Sequence, residues 1–136
     1  MLTLVERIRR DYPELRVKQG KRFSFRPPRT VNFELPTDAA GNDYKLQLLH
    51  EVGHALSGHR DFGTDPERIK MEREAWEKAR ELCGIYNILY DEGFVEVALD
   101  TYRDWLHQRS KCKDCGLTRY QTPDGAYHCP RCENFT

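Results

Sequence analysis

Two histidines four residues apart, His50 and His54, with Glu51 between them, are the residues of this chain best suited to chemistry. Residues four apart lie on one face of a helix, so both imidazoles can turn a ring nitrogen to one metal ion. Glu51 sits one step round. From there a carboxylate reaches a water held in an open coordination position, where a general base is needed. The pattern predicts zinc-promoted hydrolysis of a peptide bond. The metal polarises the scissile carbonyl and lowers the pKa of its water, while Glu51 takes the proton and later delivers it to the leaving amine. A further donor to the oxyanion is expected, with Tyr86, Tyr90 and His59 as candidates.

A catalytic zinc usually keeps three protein ligands and one open position, and two histidines with one glutamate is a standard set. The third ligand is expected on a second helical stretch that starts with Asp65 as N-cap and Pro66, and stops with Gly84 just past its end. Ile69, Trp76, Ala79 and Leu82 favour one apolar face of that helix, and Glu72 or Glu74 can flank it. Glu74 is preferred because it precedes the small Ala75, which lets two helices approach closely. The alternative for Glu72, Glu74, Glu77 and Glu81 is a solvated face shared with Arg73, Lys78 and Arg80. His59 is nine positions after His50 rather than the ten that a third histidine ligand requires in His-Glu-x-x-His-x-x-Gly-x-x-His. It is expected to be a helix-end residue.

A second metal site is signalled by Cys112-Lys113-Asp114-Cys115 and Cys129-Pro130-Arg131-Cys132. Paired Cys-x-x-Cys knuckles place four thiolates in tetrahedral reach of a structural zinc. Residues 117–121 and 126–128 are expected to form two short strands around an Asp124-Gly125 turn, which makes a zinc ribbon. Two disulfides are the alternative, disfavoured by the fifth, unpaired Cys83 and by the lack of a secretory signal. Cys83 is expected to pack as a small hydrophobe, and His128 to adjoin a ligand rather than be one.

The elements that must position these groups are legible in outline. Leu46, Leu49, Val52, Gly53 and Leu56 repeat with helical period around the two histidines; Asn42 and Asp43 offer an N-cap signal and Gly58 a stop. Leu2, Leu4, Val5 and Ile8 suggest a short amphipathic helix ending before Pro13. Residues 22–26 and 30–35 alternate polar and apolar types across Pro27-Pro28, which predicts an antiparallel pair or two edge strands. Residues 32–35 are the expected free edge, where a substrate backbone adds as a strand. A third long helix is expected over 91–108, with Phe94, Val97, Ala98, Tyr102 and Trp105 toward the core. The fold class is therefore α+β: a small zincin-like domain over residues 1–107, followed by the zinc ribbon over 108–136.

The formal net charge is zero, but residues 1–31 hold nine Lys/Arg against three Asp/Glu, and residues 32–106 hold eight against sixteen. A basic N-terminal part can steer the protein to an acidic surface or to nucleic acid, although a solvated surface is the commoner explanation. Tyr120 and Tyr127 are candidate stacking residues that more often fill a hairpin's small core. No apolar run approaches membrane-spanning length and no targeting segment is read, so a cytoplasmic protein is expected.

Residues 49–59, with the His50-Glu51-Val52-Gly53-His54 motif, and Glu74-Ala75-Trp76-Glu77-Lys78-Ala79 together resemble the ImmA/IrrE-like metallopeptidases, in which a His-Glu-x-x-His helix precedes a Glu-Ala-x-x-x-Ala ligand helix. The resemblance spans about residues 1–90; Trp76 and Lys78 stand where the family often has Asn and Phe. It implies an intracellular protease with a protein substrate, such as a repressor or another regulator. The joining of a His-Glu-x-x-His domain to a ribbon also resembles the SprT-like proteases, which act on DNA-linked proteins and take a histidine as third ligand. A non-enzymatic adaptor for protein or nucleic acid, with a structural zinc helix, is the remaining alternative.

Overall fold

A computed structural model describes residues 2–34 and 41–133. Its elements run α1 (Leu4–Asp11), β1 (Arg16–Gln19), β2 (Ser24–Arg26), β3 (Thr30–Phe33), α2 (Asn42–Leu56), α3 (Asp65–Tyr86), α4 (Glu92–Ser110), β4 (Tyr120–Gln121) and β5 (Tyr127–His128). The class is α+β, with four helices and two small sheets among the described residues. No helix among them is long and apolar enough to cross a membrane.

α1 begins where the Thr3 hydroxyl accepts from the Glu6 N–H at 3.2 Å and satisfies one of its free amides. It buries Ile8 and is tied to the sheet by Arg9, whose guanidinium donates to the Val17 carbonyl at 2.7 Å. Arg7 lies over the Tyr86 ring, so part of the N-terminal positive charge has a structural use.

The larger sheet has the order β1-β3-β2, with β1 parallel and β2 antiparallel to β3. β1 was not anticipated, because its Arg16, Lys18 and Gln19 are exposed and only Val17 is buried. Its presence corrects the expected edge. β3 is hydrogen-bonded on both sides, so the strand left free beside the histidine helix is β2. Leu35, the end of the expected strand, lies outside the described residues.

α2 lies between the sheet and α3, which explains why Leu46, Leu48, Leu49 and Val52 are all fully buried although they do not share one narrow face. It starts at Asn42 after Gly41, and the Asn42 side chain donates to the Leu89 carbonyl at 2.9 Å instead of capping. Gly58 ends this region as expected, in the left-handed conformation at φ 71° that glycine adopts without steric cost.

α3 differs from expectation at both ends. Thr64 is its N-cap residue, which places Asp65 inside the helix, and Asn87 at φ 55° is its C-cap. The helix runs through Gly84 because Tyr86 is buried and its hydroxyl donates to Asp11 at 2.8 Å. Together these outweigh the roughly 1 kcal/mol that a helical glycine costs. α4 is capped by Asp91, which accepts from the Phe94 N–H at 3.1 Å, and it continues to Ser110, two residues past the expected end at 108.

β4 and β5 pair antiparallel around the turn at Gly125, and this hairpin docks on the start of α3. The Asp65 N–H donates to Gln121 Oε1 at 2.6 Å, and its buried carboxylate accepts from Arg109 at 2.8 Å and from the Tyr127 hydroxyl. Burial raises the pKa of Asp65, but these bonds outweigh that and hold it below the usual carboxylate value.

Candidate metal centre

α2 presents His50 and His54 to α3 as the four-residue spacing predicts, and the carboxylate that meets them is Glu72. His50 Nε2 is 2.8 Å from Glu72 Oε2, and His54 Nε2 is 3.3 Å from Glu72 Oε1. All three side chains are buried, and one donor atom from each lies within 4.8 Å of the others. Three ligands on a tetrahedral ion with bonds of about 2.0–2.1 Å stand about 3.3 Å apart, so two imidazoles and a carboxylate at this spacing fit such a metal.

Glu74, the preferred residue in the sequence, is not in this group. Its carboxylate is half exposed and lies 3.1 Å from His59 Nε2. Residues 72 and 74 are about 200° apart around a helix, so only one of them can face α2. Glu72 shares its face with Ala75, Trp76, Ala79, Leu82, Cys83 and Tyr86, all buried. That i, i+3, i+4, i+7 series, extended back one turn from Ala75 and Trp76, was the available signal for Glu72. The two helices meet closely where Gly53 faces the backbone of Ala75; a Cβ on Gly53 would stand 2.3 Å from the Ala75 carbonyl oxygen.

Neighbouring rings fix the two imidazoles differently. His50 stacks on Trp76 with centroids 4.2 Å apart, and its Nδ1 is buried without a hydrogen-bond partner. His54 stacks on Phe25 of β2 at 5.6 Å, and its Nδ1 lies 2.9 Å from Nδ1 of His59. His59, expected at a helix end, is buried behind the cluster and holds no place in the donor group.

Burial pushes His50 below its ordinary value against the pull of Glu72, which favours the neutral imidazole that metal binding needs. Glu72 is held well below the usual carboxylate value, because hydrogen bonds with the two imidazoles outweigh its burial. Glu51 lies beside the cluster and outside the donor group. Burial pushes its carboxyl up to about 7, which His54 opposes and Glu72 reinforces. A carboxylate tuned toward neutrality is suited to accepting and returning a proton.

These groups open onto a cavity of about 500 Å³ lined also by Phe23, Ser24 and Phe25 of the β2 region and by Arg22, Arg60, Arg68 and Tyr102. Tyr102, read in the sequence only as a core residue of the third long helix, interacts here with Glu72 and Arg68. Burial, with the nearby Glu72 charge, pushes its phenol up to about 12, so it remains a proton donor. The expected donors lie elsewhere. Tyr86 is bonded to Asp11, Tyr90 sits under the Arg80 guanidinium, and His59 is engaged with His54 and Glu74.

The four cysteines of the two knuckles come together as the spacing predicts, and none of them forms a disulfide. Cys115 and Cys129 sulfurs are 3.5 Å apart and those of Cys112 and Cys132 are 3.9 Å apart. A tetrahedron with metal–sulfur bonds of about 2.3 Å has edges of about 3.8 Å, so the cluster can bind a metal ion. Gly116, at φ 79°, turns the first knuckle so that its N–H donates to the Cys112 carbonyl at 2.9 Å. The Cys132 N–H aimed at Cys129 Sγ leads the groups that bring this thiol down to about 7 and favour the thiolate. Cys83 is buried in the main core, as expected of a small hydrophobe. Tyr120 stacks on His128 at 5.4 Å, and His128 stays outside the cysteine cluster.

The chain matches no protein-family model, and no curated protein or solved structure is found similar to it.

Proposed function

We propose that this protein is a zinc-dependent endopeptidase of the His-Glu-x-x-His type, with His50, His54 and Glu72 as the ligands of its catalytic ion. The observation that carries the reading is the convergence of these three buried donors at one end of a cavity that also holds Glu51. Bound there, zinc would supply Lewis-acid polarisation of the scissile carbonyl and of a water. Glu51 removes the proton of that water and returns it to the leaving amine; its raised pKa suits both steps. Tyr102 donates to the developing oxyanion, with Arg68 beside it. The free backbone groups of β2, the strand bordering the cleft, hold the substrate as an added strand.

The cysteine cluster holds a second zinc that folds the C-terminal ribbon. A carboxylate as third donor favours the ImmA/IrrE-like resemblance over the SprT-like one. The donor group numbers three rather than four among the described residues, which favours an enzyme over a structural adaptor. The substrate is an intracellular protein, a repressor or other regulator by that resemblance.

The test is metal content together with cleavage of a quenched-fluorescence peptide library and of candidate regulators, by wild type and Glu51→Gln. About two ions per chain are expected, with cleavage lost in the variant. Undiminished cleavage by Glu51→Gln, or a single ion that disappears with the cysteines, would overturn the reading.

A further inference from the structure

We infer that His59 and Glu74 form a positioning relay that presets His54 for a metal ion. The inference rests on the reading of His50, His54 and Glu72 as metal ligands and extends it to residues outside that set. The geometry is a chain of contacts leading away from the ion. Nδ1 of His54 is 2.9 Å from Nδ1 of His59, and Nε2 of His59 is 3.1 Å from Glu74 Oε2. His59 is 7% exposed, so these ring nitrogens meet each other and not solvent.

The direction of each hydrogen bond follows from its outer end. A carboxylate only accepts, so His59 Nε2 carries a proton and donates it to Glu74. In a neutral ring that leaves His59 Nδ1 as an acceptor, which requires a proton on His54 Nδ1. A neutral His54 then has its lone pair on Nε2, the atom that faces Glu72 Oε1 at 3.3 Å. A lone pair against a carboxylate oxygen is repulsive unless a cation lies between them. Without a metal ion the two carboxylates, Glu72 and Glu74, compete for the protons of the row; with an ion between His54 and Glu72, the relay holds the one tautomer of His54 that such an ion needs.

His50 has no such support. Its Nδ1 has no partner, and the ring is placed by stacking on Trp76. The two ligands of α2 are thus held by different means, and the relay acts on His54 alone. It also gives Glu74 a use. The residue stands two positions from the ligand Glu72, on the side of α3 that reaches the loop after α2.

The experiment is zinc affinity, measured by competition with a chromophoric chelator on the full chain, for wild type, Glu74→Gln, Glu74→Leu and His59→Ala. Glu74→Gln keeps an oxygen acceptor and is expected to stay within a few-fold of wild type, whereas Glu74→Leu and His59→Ala lose roughly 10- to 100-fold. Long-range ¹H–¹⁵N spectra of the zinc-loaded protein are expected to show a slowly exchanging His54 Nδ1 proton in wild type and Glu74→Gln. In Glu74→Leu and His59→Ala that proton is expected to exchange faster. Equal affinity in all four proteins, or a zinc-loaded wild type whose His54 Nδ1 proton exchanges as fast as in His59→Ala, overturns the relay. Losses as large in Glu74→Gln as in Glu74→Leu overturn it too, because they mark Glu74 as a ligand. A wild type with no ion beyond the one held by the cysteines overturns the peptidase reading itself.

Discussion

Replacing Gly53 by alanine is predicted to damage stability and metal binding together, by an amount that follows from one contact. A Cβ built on Gly53 stands 2.3 Å from the Ala75 carbonyl oxygen and 3.1 Å from the carbonyl carbon. The obstacle is helical backbone, so no rotamer change relieves it, and α2 and α3 must part by about 1.1 Å to restore ordinary contact. Overpacking of this kind costs about 1–3 kcal/mol, and the better helix propensity of alanine returns less than about 1 kcal/mol. The expected net loss of about 1–2 kcal/mol lowers Tm by roughly 4–10 °C. The same displacement carries the His50–Glu72 pair out of its 2.8 Å contact, so zinc affinity falls with stability. Gly84→Ala is the control. It lies in α3 with nothing within 4 Å of the added Cβ, and is expected to stabilise by about 0.5–1 kcal/mol. Urea unfolding and chelator competition measure both quantities. Ala75→Gly added to Gly53→Ala should not rescue, since the clash is with a backbone oxygen. A Gly53→Ala protein as stable as Gly84→Ala and with full zinc affinity would show that the Gly53–Ala75 approach does not set the helix spacing.

Further outcomes follow from the contact of the β4–β5 hairpin with α3 and from the Trp76 stack. Asp65→Ala leaves Arg109 and Tyr127 without their shared acceptor and is expected to destabilise by about 1–3 kcal/mol, read by urea unfolding. Because the folded-state pKa of Asp65 is depressed, its contribution is present above the unfolded value near 3.8 and is lost as pH falls through the folded value. The wild-type advantage over Asp65→Asn should therefore shrink below about pH 4, and an advantage constant down to pH 2 would contradict the assignment. In a Trp105→Phe background, zinc added to metal-free protein should change Trp76 emission, because His50 stacks on that indole at 4.2 Å. Zinc entering only the cysteine cluster should leave the emission unchanged.

Local spacing alone accounts for part of the candidate site. His50 and His54 share a helix face whatever surrounds them, and the two cysteines of each Cys-x-x-Cys knuckle stay close because only two residues separate them. The helices were legible in position, with errors of a few residues at their ends. Those errors have causes away from the helix itself. Tyr86 finds Asp11 across 75 residues and draws α3 past Gly84, while Asp65 leaves the capping role for Arg109 and Tyr127 of the C-terminal segment.

How these pieces turn toward one another depends on the packing of the elements. Glu72 and Glu74 are chemically equivalent in the sequence, and the rotational phase of α3 against α2, set where Gly53 meets Ala75, brings the first to the histidines and sends the second to His59. The free strand changed from β3 to β2 because the polar β1 segment pairs with β3 through main-chain bonds, which side-chain pattern does not encode. Tyr102 and His59 reach the cleft and the relay from positions 48 and 5 residues beyond His54. Periodicity fixes a side chain's direction within its own element; its partners are set by how the elements pack.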